Sequence, residues 1–384
     1  MTGPRKSSTS LASFLSQAVD GGVSPDLAEV VTVLAAASLT IAQDIRTSNW
    51  LDDDASLGTV NIQGEIQKPL DVIANDRMMG ALQPLSQVSF AVSEELDEAV
   101  SLNPTGRYAV IFDPLDGSSN VDVNITVGSI FSVVEASTSD QILQPGRQQR
   151  FAAYAAYGPS TLLTLTFGYE VAVFGADHDG QYKLISQGLQ VPARNPEYAI
   201  NSSRKMDWPA GISAFVRDCD LGETGPLARN YNMRWVGSMV AELHRILVRG
   251  GLFLYPGKSI EGPGKLRLLY EANPMSFILE AAGGVCSSGS QPILDLVPHS
   301  LHQRVGILMG SADEMKGLMS YIQGSNPATG KGHQAARTDV KRSCPKEWCS
   351  SGDRRAFRTE PGNGSACRSG QADERIIAHC GDGL

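Results

Sequence analysis

The apolar positions of the chain follow two different rhythms. Near the N-terminus they recur at helical spacing: Leu27, Val30, Val31, Leu34 and Leu39 trace one face. Ser24-Pro25-Asp26 precedes them with an N-cap hydroxyl, a first-turn proline and a first-turn acid, so the pattern predicts a helix over 25–47. Residues 51–67, rich in Asp, Gly and Asn, read as a loop, and Pro69 opens a second helix through Val72, Ile73 and Met79. From Tyr108 the rhythm becomes that of strands. β-Branched and aromatic runs at 108–112, 125–134, 151–167 and 169–174 predict strands, 88–92 reads as a buried one, and Asp179-Gly180 marks a hairpin. Beyond about residue 191, short strands (198–201, 251–255, 305–309) alternate with helices (238–249, 273–284, 312–322). An α+β half followed by an α/β half predicts an α/β protein of two packed domains, 1–190 and 191–324. Residues 325–384 keep neither period and read as a disordered tail.

Composition sharpens that division. The 384 residues carry a net charge of −9, but it is uneven: −12 before residue 326 and +3 from there on. An acidic body excludes a general nucleic-acid or membrane-surface binder, which needs a basic face. No run approaches about 18 uninterrupted apolar residues, so no transmembrane span is predicted. The polar start, 1–10, argues against a secretory signal. Four of the six cysteines (Cys344, Cys349, Cys367, Cys380) lie in the tail, leaving Cys219 and Cys286 to the fold.

Candidate chemistry concentrates in a few segments. Asp113-Pro114-Leu115-Asp116-Gly117-Ser118-Ser119 follows a strand, and two carboxylates three apart across a proline-containing turn can face one point. Gly117 permits close backbone approach, and the amides of Ser118 and Ser119 can donate to an anion. Hard oxygen ligands beside amide donors suit Mg²⁺ bridged to a phosphate; the plainer alternative is a solvated surface turn. Ser93-Glu94-Glu95 ends the buried strand, where sites gather in α/β folds. Asp71, in a first helical turn, is a dipole partner unless it faces the other acids. In Lys265-Leu266-Arg267…Glu271 an extended backbone would set Lys265, Arg267 and Glu271 on one side, two cations for phosphate and a carboxylate for a metal. Arg234 is open between phosphate ligand and surface charge, and His244 reads as structural. There is no Walker-type phosphate loop, no histidine pair at zinc spacing and no nucleophile elbow.

Taken in order, the runs at 64–75, 92–95, 112–120, 144–147, 236–241 and 264–275 make the chain resemble the class I fructose-1,6-bisphosphatases of bacterial type, from about Leu11 to Ile322. Residues 112–118 are shared with inositol-phosphatase-like enzymes; 265–271 are more specific to this family. The resemblance implies a layered αβαβα fold, a cytoplasmic homotetramer, and Mg²⁺-dependent release of the 1-phosphate of fructose 1,6-bisphosphate in gluconeogenesis or the Calvin cycle, with no nucleic-acid or membrane partner. It implies two or more Mg²⁺ per subunit, replaceable by Mn²⁺, held by Glu94, Glu95, Asp113, Asp116, Glu271 and the Leu115 carbonyl. Glu65 and Asp71 match acids that complete the site or orient the attacking water. Gly117, Ser118, Ser119 and Arg267 would hold the 1-phosphate. Asn201, Tyr255 and Lys265 would hold the 6-phosphate, with Arg234 reaching from a neighbouring subunit, and Gly237, Ser238 and Met239 would line the sugar. Sedoheptulose 1,7-bisphosphate is an alternative or second substrate; an inositol-phosphatase-like enzyme or an inactive sugar-phosphate sensor fits less well. The family's AMP pocket is matched here by Ser24-Pro25-Asp26, Arg107-Tyr108 and Glu135, where a proline removes an amide and a carboxylate replaces a cation; weak or absent AMP inhibition is the expectation.

Overall fold

Ser10 opens the first helix by accepting the Ser13 N–H on its hydroxyl at 3.2 Å. The computed structural model describes residues 9–47 and 68–324, so the expectations for 51–67 and for the tail lie outside the described residues. α1 (Leu11–Asp20) is followed by α2 (Pro25–Thr47), with the bounds the pattern predicts, and by α3 (Pro69–Leu82), which starts at its proline. α2 is long and apolar enough to span a bilayer by length and composition alone. Counting uninterrupted apolar residues overlooks this, because Glu29, Thr32 and Ser38 break the run. More than half of the helix's most apolar stretch is buried inside the protein.

These helices cover one face of an eight-stranded sheet ordered β2-β1-β3-β4-β5-β6-β7-β8. Its strands are β1 (Val88–Ser93), β2 (Val100–Ser101), β3 (Tyr108–Asp116), β4 (Val127–Glu135), β5 (Gln149–Tyr157), β6 (Thr161–Thr166), β7 (Val171–Ala176) and β8 (Tyr182–Gln187). Only β1 and β3 pair in parallel. The run 151–167, expected as one strand, is the hairpin β5–β6, broken at Gly158-Pro159 because proline has no amide for the ladder.

The second half builds a five-stranded sheet, β10-β9-β11-β15-β13, from β9 (Glu197–Ile200), β10 (Asn232–Met233), β11 (Leu252–Tyr255), β13 (Val285–Ser287) and β15 (Ile307–Gly310). A two-stranded ribbon pairs β12 (Leu266–Arg267) with β14 (Arg304–Val305). Its helices are α4 (Ala210–Asp220), α5 (Met239–Arg249), α6 (Asn273–Ala281) and α7 (Ala312–Ile322). Alternation along the strands divides the core. Tyr198, Ile200, Leu252, Leu254 and Leu308 face α4 and α7, whereas Ala199, Phe253, Ile307 and Met309 face α5 and α6. α5 and α6 also pack on β4 and β5, so one helical layer serves both sheets and the order of layers is αβαβα. The pattern reading passes over α4, whose Ile212, Phe215, Val216 and Cys219 have helical spacing but whose start has no capping side chain.

Candidate active site

β3 supplies the first two acids. On a regular strand residues three apart point to opposite faces. A bulge between Asp113 and Asp116 in the β3–β4 pairing brings both to one side. The expected turn at Pro114 is therefore an irregularity inside a continuing strand, and proline is tolerated there because the bulge takes it off the ladder. The Pro114 carbonyl accepts the Ser129 hydroxyl at 2.7 Å, and the Leu115 N–H donates to Asp113 Oδ1 at 3.0 Å.

Glu271 arrives from the other half of the chain. The extended reading of 265–271 does not hold: β12 stops at Arg267, and Leu268–Ala272 wind into a π-helical turn. The turn folds Glu271 back so that its Oε2 accepts the Arg267 N–H. Asp113, Asp116 and Glu271, all buried, each place an oxygen within 4.8 Å of the other two. Glu94, just past β1, donates its N–H to the Phe112 carbonyl at 3.1 Å, and its carboxylate sits beside Asp113.

Such a cluster is unfavourable without a cation. Burial first, then Glu94, Asp116 and Glu271, push the Asp113 carboxyl well above the usual carboxylate range. Burial, then Glu94 and Asp116, do the same to Glu271, with the Arg267 amide and guanidinium acting against them. Burial also raises Asp116, opposed by hydrogen bonds from Val240 and Ser238. The donor set is all oxygen and carboxylate-rich, which fits a hard divalent cation.

A carboxyl whose folded pKa is raised contributes stability that is complete below its unfolded value and is lost as pH rises through the raised value. Above about pH 5.5 ordinary carboxylates are already ionised. From there to about pH 8 the metal-free protein should therefore lose melting temperature, and saturating Mg²⁺ should restore more of it at the higher pH. Melting curves with EDTA or Mg²⁺ at both pH values check this; equal Mg²⁺ gains would contradict it.

Asp116 also joins the two halves. Its Oδ2 accepts the Ser238 hydroxyl and the Val240 N–H, each at 2.9 Å, at the start of α5, which Ser238 caps. Gly117 has φ +74°, and a Cβ there would lie 2.9 Å from Ser238 Cβ, so both conformation and space require glycine. The Asn120 amide donates to the Gly237 carbonyl at 3.2 Å. Ser118 and Ser119 open a 3-10 turn (Ser118–Val123) at this seam, and Lys68 Nζ donates to the Ser118 carbonyl at 3.2 Å.

Other predicted residues are spread around this centre. Asp71 is buried and accepts the Lys68 N–H at 2.9 Å. One turn on, Asn75 accepts the Ser93 hydroxyl at 2.7 Å, so this face of α3 is turned toward the end of β1. Glu95 is part-exposed and its N–H rests on Ser93 Oγ at 3.2 Å. Glu65 lies outside the described residues. Met239 is buried in the core between the sheets, and the Ser238 hydroxyl is held by Asp116.

Asn201, Tyr255 and Lys265 line one cavity of about 300 Å³, together with Arg204, Lys258 and Arg304. Lys265 thus opens onto this cationic cavity, while Arg267, two residues on, is buried beside Glu271. Sequence reasoning misses Lys258 and Arg304; Arg304 becomes visible only as the register partner of Arg267 in the ribbon. Arg234 is not brought to the cavity within one chain: it follows edge strand β10, and its Nε donates to buried Glu197 at 3.1 Å, beside Arg245 and Arg249. His244 is structural, its Nδ1 paired with the Tyr154 hydroxyl at 2.8 Å, and burial lowers its pKa.

Comparison with known proteins gives a consistent result. Residues 15–187 match the family model described as Fructose-1-6-bisphosphatase, N-terminal domain, and residues 191–323 match its C-terminal domain. The chain is 46% identical over 315 residues to a fructose-1,6-bisphosphatase class 1 of Shewanella amazonensis, covering 80% of this chain and 98% of that protein. It is 43% identical over 320 residues to that of Methylacidiphilum infernorum, covering 80% and 90%. Among solved structures, Leishmania major fructose-1,6-bisphosphatase in holo form superposes with a TM-score of 0.76 at 30% identity, over 84% of this chain and 100% of that one.

Proposed function

The chain belongs to the class 1 fructose-1,6-bisphosphatase family, and on that premise we propose that it hydrolyses the 1-phosphate of D-fructose 1,6-bisphosphate to fructose 6-phosphate and phosphate. One observation supports this reading above the rest. The buried carboxylate cluster and the cationic cavity are joined by a single short segment, 265–271, so a ligand with phosphates at both ends can engage the two together.

In this reading Glu94, Asp113, Asp116 and Glu271 hold the metal, with Glu95 and the Leu115 carbonyl completing the set for two or more Mg²⁺, or Mn²⁺. Cations held there would neutralise the ester and stabilise the departing alkoxide. The amides of Gly117, Ser118 and Ser119 and the Arg267 guanidinium orient the 1-phosphate. Asp71 and Glu65 orient the attacking water. Asn201, Tyr255 and Lys265 bind the 6-phosphate, and Gly237, Ser238 and Met239 border the sugar, Met239 through its backbone. The metal loops that carry Glu94, Glu95, Asp113 and Asp116 fall to an N-terminal domain, 1–190, while Glu271 and the distal-phosphate residues fall to a C-terminal domain, 191–324. We take the enzyme to be a cytoplasmic homotetramer, in which a neighbour's Arg234 serves the cavity. Exposed Met233 beside Arg234 on edge strand β10 suits such a contact. Assay of fructose 1,6- and sedoheptulose 1,7-bisphosphate side by side tests substrate choice: a higher kcat/KM for the fructose ester is expected, and the reverse order would overturn it.

Regulation by AMP is expected to be weak or absent. Glu135 stands where the family has a phosphate-binding cation, and its carboxylate is engaged by Arg107 at 2.9 Å and Arg150 at 3.1 Å. Titration of turnover with AMP should show no half-inhibition in the micromolar range; finding it would contradict this assignment.

A further inference from the structure

The acids of the centre sit on separate segments, and something must hold those segments in register. Glu94 and Glu95 lie on the turn after β1. The near end of that turn is fixed at Ser93, whose hydroxyl donates to Asn75 and accepts the Glu95 N–H. Its far end is Asp97, whose carbonyl oxygen lies 3.2 Å from His302 Nε2. The other ring nitrogen, Nδ1, is 3.0 Å from the hydroxyl of Tyr270, the residue before Glu271. Tyr270 is fully buried, and the two rings meet edge to face, 5.9 Å between centroids. His302 is itself placed by the backbone around it: the Leu268 N–H donates to the Gln303 carbonyl at 2.8 Å, and β14 pairs with β12 immediately afterwards.

The partners dictate the chemistry of the link. A carbonyl only accepts, so Nε2 carries the proton and donates it to Asp97. In the neutral ring Nδ1 then offers a lone pair, and the Tyr270 hydroxyl donates to it. An imidazole suits this position because it presents a donor and an acceptor on opposite edges of a rigid ring.

We propose that His302 is a positioning residue, a clip that ties the Glu94–Glu95 turn to the Tyr270–Glu271 turn and so preforms the carboxylate site for its metal. The inference rests on the reading of that cluster as the metal site. The His302 ring is engaged by Tyr270 and the Asp97 carbonyl and is not one of the groups that would hold the metal; it fixes the spacing of groups that would, as outer partners of metal ligands commonly do.

Calorimetric titration of the full-length, metal-free protein with MnCl₂ tests it. His302→Phe keeps the ring and removes both hydrogen bonds, and should weaken Mn²⁺ binding by about 10-fold or more. Tyr270→Phe, which deletes one hydroxyl, should also weaken it. The double variant should lose little beyond His302→Phe, because the two residues act as one unit. His302→Gln retains a donor near the Nε2 position and should recover most of the affinity. The Mg²⁺ concentration for half-maximal turnover should shift in parallel, with KM for the sugar ester at saturating Mg²⁺ nearly unchanged. Wild-type affinity in both His302→Phe and Tyr270→Phe, or losses that simply add, would overturn the clip. Absence of Mn²⁺ binding in the wild-type protein would instead overturn the metal site on which it rests.

Discussion

Asp116→Ala is expected to lower turnover of fructose 1,6-bisphosphate by about 10³-fold or more, on the order of 4 kcal/mol of transition-state stabilisation. The size follows from two tasks that converge on one carboxylate. It is one of three buried acids whose oxygens meet within 4.8 Å, so on the proposed reading its loss takes away one of the groups that would hold the metal. Its Oδ2 also holds Ser238 and Val240 at the head of α5, so the seam against which Gly117 is packed loses its anchor. Asp116→Asn separates the tasks: the amide oxygen can still accept both hydrogen bonds while the charge is gone. The asparagine variant should melt close to wild type yet remain nearly as inactive as alanine. Phosphate-release assays and thermal melts on both variants check this, and an asparagine variant with more than about a tenth of wild-type turnover would contradict the metal role.

Arg267→Ala should cost about 10²- to 10³-fold in kcat, the range for removing one preorganised donor from a developing oxyanion. Arg267 is 2% exposed, beside Glu271, and its backbone N–H holds that carboxylate. Lys265→Ala should behave differently. Lys265 opens on the cavity with Asn201 and Tyr255, and is not one of the cluster of Asp113, Asp116 and Glu271, so its loss should raise KM by roughly 10- to 100-fold, the worth of a charge-assisted hydrogen bond, with a smaller change in kcat. Steady-state kinetics on both variants separate the roles. An Arg267 variant that changed KM alone, or a Lys265 variant that changed kcat alone, would reverse the assignment of the two phosphate positions.

Much of this site is legible in the residues themselves. Glycine after Asp-Pro-Leu-Asp, acids at the end of an apolar strand, and cations at 265 and 267 are local signals, and each stands where the structure gathers polar groups. The bounds of α2 and α3 are likewise local, set by prolines and helical spacing. What the sequence conceals is how these pieces face one another. Asp113 and Asp116 share a side only because β3 bulges against β4, with Pro114 tied to Ser129, a partner 15 residues away in the chain. Glu271 reaches Asp113 by a π-helical turn, where periodicity of two leads to the wrong geometry. Arg304 enters the cavity through pairing of two-residue strands too short to show a pattern. His302 is one of six histidines, and nothing in its neighbours announces that its ring bridges Asp97 and Tyr270. Local signals name the groups; long-range pairing sets their geometry.

On the proposed function, this chain uses its buried carboxylates to remove one phosphate from a sugar bisphosphate. The most direct measurement is the product balance of the purified full-length protein on fructose 1,6-bisphosphate, with phosphate and fructose 6-phosphate quantified in parallel, first in EDTA and then with Mg²⁺ restored. The expected result is no turnover in EDTA and, with Mg²⁺, equal amounts of the two products. No phosphate with Mg²⁺, undiminished release in EDTA, or fructose 1-phosphate as the product would contradict it.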